Sequence, residues 1–190
     1  MDARLKQFAL VGLSLLLVFL FLYPYLLPGY RSAVLGVSKV SLGFFHPPIR
    51  LDVQLDLSWR VVVPATQDRS GWTFVMDDEE FGHEVTFMGL AILPALVLAT
   101  PVGFGRRIRL LVVALFCLFI ANVLSVVTVI AIVATQCHGR ETERTCGLIA
   151  GSLSSWSHIT TFGLWALLTW RSWFGEPADP ARDRAGRLRR

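Results

Sequence analysis

Two groups of side chains in this sequence have the types and spacing that chemistry requires. The first group is Cys137 and Cys146, with His138 beside the first thiol. In an oxidising compartment two such thiols form a disulfide. Closing a loop of about ten residues in this way stabilises a fold by roughly 2–3 kcal/mol. A thiol assisted by His138 or His158 is the alternative, because a neighbouring imidazole favours the reactive thiolate. We favour the disulfide, and the sequence leaves both interpretations open.

The second group consists of polar residues inside apolar segments. Asn122 and Ser125 are three residues apart in one such segment, which places them on one face of a helix. An amide in an apolar environment needs a hydrogen-bonding partner, and a bond to another helix is the preferred explanation for Asn122. His158 begins a later apolar segment, where it is either an interfacial residue or part of a site.

The cysteines and the polar residues lie within or beside long apolar segments, which must therefore position them. Each approaches or exceeds the ~20 helical residues that cross about 30 Å of hydrocarbon. The sequence therefore predicts an all-α membrane protein with four transmembrane helices. The predicted spans are Phe8–Leu27, Val85–Val102, Leu110–Ala134 and Trp156–Trp173.

The distribution of basic residues predicts how the spans are oriented. Arginine and lysine concentrate at the N-terminus, between the second and third spans, and in the C-terminal tail, and such segments stay in the cytoplasm. We therefore predict a multi-pass protein of the bacterial inner membrane with both termini cytoplasmic. The basic residues near the spans are Arg4, Lys6, Arg106, Arg107, Arg109 and Arg171.

The same reasoning divides the chain into four parts. The first span lacks a cleavage site and is predicted to remain as a signal anchor. Tyrosines 23, 25 and 30 are then expected at the outer interface. The predicted parts are 1–29, the first transmembrane helix; 30–84, a periplasmic loop; 85–174, a three-helix membrane core; and 175–190, a disordered cytoplasmic tail.

The periplasmic loop is predicted to contain an interfacial helix and a β-hairpin. Arg31–Phe45 is mildly amphipathic, as expected of a helix lying along the membrane surface. Arg50–Val63 alternates between apolar and polar residues, which is typical of one half-buried strand. After a turn-forming segment, Trp72–Met76 returns as the second strand of the hairpin.

Several function classes find no support in the sequence. Soluble-enzyme motifs are missing, and the basic residues form no stripe of the kind that binds nucleic acid. The spans carry no carboxylate for proton or ion transport. We expect no cofactor and no metal site, because the four histidines lie far apart. They are His46, His83, His138 and His158.

From about Thr86 to Trp173 the chain resembles the core of the exosortase/archaeosortase family of membrane transpeptidases. Those proteins carry a Cys-x-Gly motif at the outer start of one span, a short basic link, an Asn-x-x-Arg motif in the next span and a histidine opening the one after. Here Phe87–Leu90, Gly105–Arg109, Asn122–Ser125 and His158 stand in the same order and at similar spacing.

The resemblance also implies that the catalytic groups have been lost. The nucleophilic cysteine of the family would fall at Phe87 and its arginine at Ser125, whereas Asn122 and His158 are retained. Thiol transpeptidation requires a thiolate and a positive group for the oxyanion, and neither phenylalanine nor serine provides them. The chain is thus similar to the non-catalytic membrane proteins that accompany exosortases, such as exosortase H-associated membrane proteins.

These observations predict a non-catalytic accessory protein. Its expected partners are membrane lipid and an exosortase or that enzyme's sorting-signal substrates, which would dock on the periplasmic loop. Two alternatives remain: an active thiol peptidase or transpeptidase using Cys137, and a four-span structural or assembly factor unrelated to sorting.

The two cysteine interpretations predict different labelling of intact cells. If Cys137 and Cys146 are joined, a membrane-impermeant maleimide will label the protein only after a reductant is added, because a disulfide has no thiolate. Mass-spectrometric mapping of the labelled sites distinguishes them from Cys117 within the third span. Labelling of Cys137 without reductant would instead favour the thiol enzyme.

Overall fold

The structure is a computed structural model that describes residues 3–46, 49–53, 59–63, 71–76, 87–136 and 159–170. This part of the chain is mostly helical, with four helices and one small sheet. The helices are α1 (Ala3–Phe45), α2 (Gly89–Ala99), α3 (Phe104–Gln136) and α4 (Ile159–Trp170). The strands are β1 (Arg50–Val53), β2 (Trp59–Val63) and β3 (Trp72–Met76).

Helix α1 is longer than the sequence predicted. Its 43 residues run without a break through Pro24 and Pro28. The first helix therefore does not end at residue 29, and the separate interfacial helix predicted over Arg31–Phe45 is wrong, because these residues continue α1. The division between a membrane part and a periplasmic part near residue 29 stays a prediction. A proline removes one backbone donor, but contacts on both sides sustain the helix. Beyond the prolines, Leu35 and Leu42 are fully buried against the rest of the fold.

Among the described residues, two helices, α1 and α3, are long and apolar enough to cross a membrane by their length and composition. At ~1.5 Å per residue, the 43 residues of α1 extend about 64 Å and the 33 residues of α3 about 50 Å. Both lengths exceed the ~30 Å of a hydrocarbon core. Each of these helices is therefore long enough to extend beyond a hydrocarbon core at one or both ends.

Helix α2 is shorter than the predicted second span. It contains 11 residues and ends at Thr100, whose ψ angle of 135° is extended. The cause is Pro101, because a proline disfavours helical backbone in the residue before it. The sequence prediction had carried this span as far as Val102. The description of α4 covers only the central part of the predicted fourth span.

Contacts between helix ends show how the four helices run. Gly12 near the start of α1 lies against Ala99 at the end of α2, where an added Cβ would be 3.5 Å from the alanine Cβ. The Phe8 ring stacks on Trp165 of α4 with 5.8 Å between centroids. Trp165 Nε1 also donates to Thr100 Oγ1 at 3.4 Å. The start of α1 and the ends of α2 and α4 thus meet at one end, which we call the basic end.

The opposite ends of α2 and α4 also meet. A methyl group on Gly89 would lie 2.5 Å from Oγ1 of Thr161 and 3.1 Å from Cδ1 of Leu118. Glycine therefore permits α2 to approach both α3 and α4 closely, as small residues do between packed helices. Successive helices consequently alternate in direction, as the four-helix prediction requires.

The sheet differs from the predicted hairpin. It has three antiparallel strands in the order β1-β2-β3, with Leu51 opposite Val61 and Val61 opposite Phe74. The single strand expected over Arg50–Val63 is wrong, since the chain reverses direction within that range. Alternation with period two continues in phase through the whole segment, so it gave no sign of the reversal.

Two apolar clusters hold these elements together. At the basic end, Leu93 and Val97 of α2 pack against Ala114 and Leu118 of α3. At the other end, which we call the sheet end, the second half of α1 packs against the later part of α3 and one face of the sheet. The fully buried members there include Val34, Leu35, Leu42, Val61 and Ile130.

Ser38 generates a stability prediction at the sheet end. Its side chain is completely buried, and its hydroxyl makes no hydrogen bond within the described residues. Because a buried hydroxyl without a partner is destabilising by about 1–3 kcal/mol, Ser38→Ala should raise the free energy of unfolding by roughly 1 kcal/mol. The measurement is reversible unfolding in mixed detergent micelles.

Ser41, one turn further along α1, is the matched control. Its hydroxyl donates to the carbonyl of Val37 at 2.9 Å, and the site is more exposed. Ser41→Ala should change stability by less than about 0.5 kcal/mol. A loss of stability in Ser38→Ala greater than in the control would contradict the assignment of Ser38 as unsatisfied.

Candidate functional site

The candidate site is centred on a hydrogen bond between α1 and α3. Asn122 Nδ2 donates to Tyr30 Oη at 2.9 Å, across 92 positions of sequence. Asn122 is only 2% exposed, so its amide meets protein rather than solvent. The expected role of Asn122 as a bond between helices is therefore confirmed.

Two aromatic rings complete the surroundings of Tyr30. Phe87 meets the tyrosine ring edge-to-face at 5.9 Å between centroids and 78° between planes. Phe119 does the same at 6.0 Å and 80°. This geometry is favourable for aromatic pairs because the positive edge of one ring faces the negative face of the other. We call Tyr30, Phe87, Phe119 and Asn122 the Tyr30 cluster.

Local structure explains how these four side chains come together. Phe119 and Asn122 are three residues apart on α3 and share one helical face. Phe87 lies in the turn before α2, where its carbonyl accepts the backbone N–H of Leu90 at 2.9 Å. Tyr30 lies in the second half of α1 and faces α3 there.

The structure brings together two of the four motif positions named by the family resemblance. Phe87 and Asn122 both contact Tyr30. Ser125 lies one turn further along α3 and is half-buried. His158 lies outside the described residues, although Thr161 of the same segment lies against Gly89, two residues after Phe87. Of the motif positions, Phe87 and Asn122 therefore lie together at the Tyr30 cluster.

The Tyr30 cluster contains no nucleophile and no charged group. Phe87 is 1% exposed and packs against the Tyr30 ring, and the Asn122 amide donates to the Tyr30 hydroxyl. Within the part of the chain that the structure describes, no three His, Cys, Asp or Glu side chains are placed to hold a metal ion. The described chemistry of the cluster is therefore that of a joint between helices.

Sequence reasoning missed Tyr30. It was expected at the membrane interface with Tyr23 and Tyr25, and only Tyr25 is exposed, at 76%. The sequence contains two signals that point to Tyr30. A buried asparagine requires a hydrogen-bonding partner. Tyr30 also follows Tyr23 by two helical turns, so the two tyrosines lie on the same face of α1. The neighbouring Arg31 is also buried, at 6% exposure, and was not singled out.

The cysteine predictions lie outside the described residues. Cys137, Cys146 and His138 all fall in the unassigned range 137–158, so the disulfide and the alternative thiol site stay predictions. Cys117 is described as a free, partly buried thiol within α3, as expected for a small apolar side chain. The acidic run Asp77–Glu80 and the tail 175–190 are also outside the description.

No protein-family model, curated protein or solved structure matches this chain. The resemblance to exosortases consequently rests on the motif positions alone and stays a prediction.

The hydrogen bond at the centre of the cluster can be measured with a double-mutant cycle. We expect Tyr30→Phe and Asn122→Ala each to destabilise the protein, with a coupling energy of about 0.6–2 kcal/mol between them. Unfolding in mixed micelles of the two single variants and the double variant gives the coupling.

Tyr25→Phe is the control, because that tyrosine is exposed and lies on the same helix. It should leave stability unchanged within about 0.5 kcal/mol. Additive effects of Tyr30→Phe and Asn122→Ala would show that the bond contributes nothing.

Proposed function

We propose that this chain is a non-catalytic accessory protein of the bacterial inner membrane. In this proposal its four helices cross the membrane, and its sheet end projects into the periplasm. There it binds an exosortase or the sorting-signal segment of that enzyme's substrates. The observation that carries the proposal is an exposed apolar face on the second half of α1.

The exposed surface of the long helices supports the membrane location. In the first half of α1, Leu10, Leu13 and Leu17 are all at least 61% exposed. On α3, Val112 and Phe116 are exposed to a similar degree. Contiguous apolar surface of this kind is unfavourable in water and matches the hydrocarbon of a bilayer.

The distribution of charge supports the proposed orientation. Arg106 and Arg109 are exposed at the start of α3, whose first turn carries no acid. Lys6, near the start of α1, is exposed at this same end, where α1 meets α4. A basic cluster of this kind marks the cytoplasmic side.

The composition of the Tyr30 cluster supports a role without catalysis. Acyl transfer at this place would need a thiolate and a positive group in the positions of Phe87 and Ser125. The phenylalanine is instead packed against Tyr30, so even the space for a nucleophile is filled.

The second half of α1 supplies the docking face. If the hydrocarbon ends near Leu27, the remaining 18 residues of the helix rise about 27 Å above it. Val37, Val40 and Phe44 lie on one side of this projecting part and are 42%, 60% and 81% exposed. Above the bilayer such a face is in water, where an apolar stripe favours association with another protein.

The sheet offers a second place for an extended peptide. A segment can join a sheet only at an unpaired edge. Because β2 is paired on both sides, the edges are β1 and β3, and β1 already contacts α1. We therefore place a sorting-signal peptide at the edge formed by β3, Trp72–Met76.

Site-specific photocrosslinking tests the docking face. A photoreactive amino acid at Val40 should form a covalent adduct with the exosortase in cells that contain both proteins. The matched control is the same amino acid at Leu167, which is 80% exposed on α4 and, in this proposal, faces lipid. We expect no exosortase adduct from that position.

The adducts are identified by mass spectrometry of the purified crosslinked species. If Val40 yields no exosortase adduct, or if both positions give the same one, the proposed docking face is wrong.

A further inference from the structure

An apolar groove runs along the protein between α1 and α2, near the basic end. It encloses about 250 Å³. On α1 it is lined by Ala9, Leu13 and Leu16, and on α2 by Ile92 and Leu96. We call it the α1–α2 groove.

The groove suits a hydrocarbon chain. An apolar cavity of about 150 Å³ already binds a molecule the size of benzene without admitting water. This groove is larger, and Leu13 at its margin is 61% exposed, so it is accessible from the side of the helix pair. Among the residues that the structure describes, no charged side chain and no hydroxyl, amide or carboxyl side chain lines it.

A positive charge stands at one end of the groove. Lys6 precedes Ala9 by three residues and Leu13 by seven, so all three lie on one face of α1. The lysine is exposed and continues the line of groove residues toward the basic end. Arg106, in the first turn of α3, adds a second exposed cation at the basic end. The α1–α2 groove could hold an acyl chain, and the cations at the basic end could bind an anionic headgroup, so together they complement an anionic lipid.

We propose that the α1–α2 groove binds one acyl chain of an anionic phospholipid and that Lys6 contacts the lipid phosphate. The inference rests on the membrane location given under the proposed function. The lipid would fill the gap between α1 and α2 and neutralise part of the basic end. Attraction between a basic side chain and an anionic lipid headgroup provides the selectivity.

Lipid binding to the purified full-length protein tests the proposal. Phosphatidylglycerol and phosphatidylcholine with identical acyl chains are titrated, and binding is read by native mass spectrometry. We expect phosphatidylglycerol to bind more tightly. Equal affinity for the two lipids would overturn the proposal.

The charge is tested with Lys6→Gln and its control Lys39→Gln. Lys39 is also exposed on α1, but it lies far from the groove, at the sheet end. Lys6→Gln should weaken phosphatidylglycerol binding about fivefold, which corresponds to the ~1 kcal/mol per basic residue near an anionic surface. Lys39→Gln should not change it. Equal effects of the two substitutions would contradict the assignment of Lys6.

The groove itself is tested with Ala9→Leu, which fills it from a position already exposed on α1. The same change at Ala166, exposed on α4, is the control. Ala9→Leu should weaken binding of both lipids several-fold, whereas Ala166→Leu should have no effect. Unaltered binding in Ala9→Leu would place the lipid elsewhere.

Cell fractionation separates this inference from the proposed function. If the protein is recovered in the membrane fraction but shows no preference for phosphatidylglycerol, only the lipid inference fails. If the protein is recovered from the soluble fraction, the membrane location fails, and both proposals fail with it.

Discussion

The fold depends on one requirement, that the buried amide of Asn122 has a hydrogen-bonding partner. Tyr30 meets it at 2.9 Å, and in doing so it fixes the position of α1 relative to α3. Phe87 and Phe119 then enclose the tyrosine ring and attach the start of α2 to the same point. A polar bond in apolar surroundings is directional, whereas the leucine and valine contacts around it permit many arrangements.

The continuity of α1 gives the molecule its two ends. Because the helix continues through Pro24 and Pro28, its first half packs with α2 and α4, and its second half supports the sheet. One element thus connects the basic end, with its apolar groove, to the sheet end, with its exposed apolar face. Under the proposed function the basic end lies at the cytoplasmic side of the membrane, and the sheet end binds the partner in the periplasm.

Sequence patterns predicted the apolar helices and the bonding role of Asn122, because both follow from local composition. They failed where distant parts of the chain decide the outcome. The first helix was predicted to end at residue 29, but α1 continues through Pro24 and Pro28, and Leu35 and Leu42 beyond them are buried against α3 and the sheet. The alternation over Arg50–Val63 stayed in phase across a reversal. Tyr30 was expected at the interface because an amphipathic ring is favoured there. Its partner Asn122 lies 92 positions away, so no local pattern joins the two.

The central claim is that α1 crosses the membrane and projects into the periplasm. Single cysteines introduced by Lys39→Cys and Arg106→Cys, with the native cysteines replaced by serine, test it most directly. With an impermeant thiol reagent, we predict labelling at position 39 in intact cells and at position 106 only after permeabilisation. Labelling of position 106 in intact cells, or protection of position 39 until the cells are opened, would contradict the account.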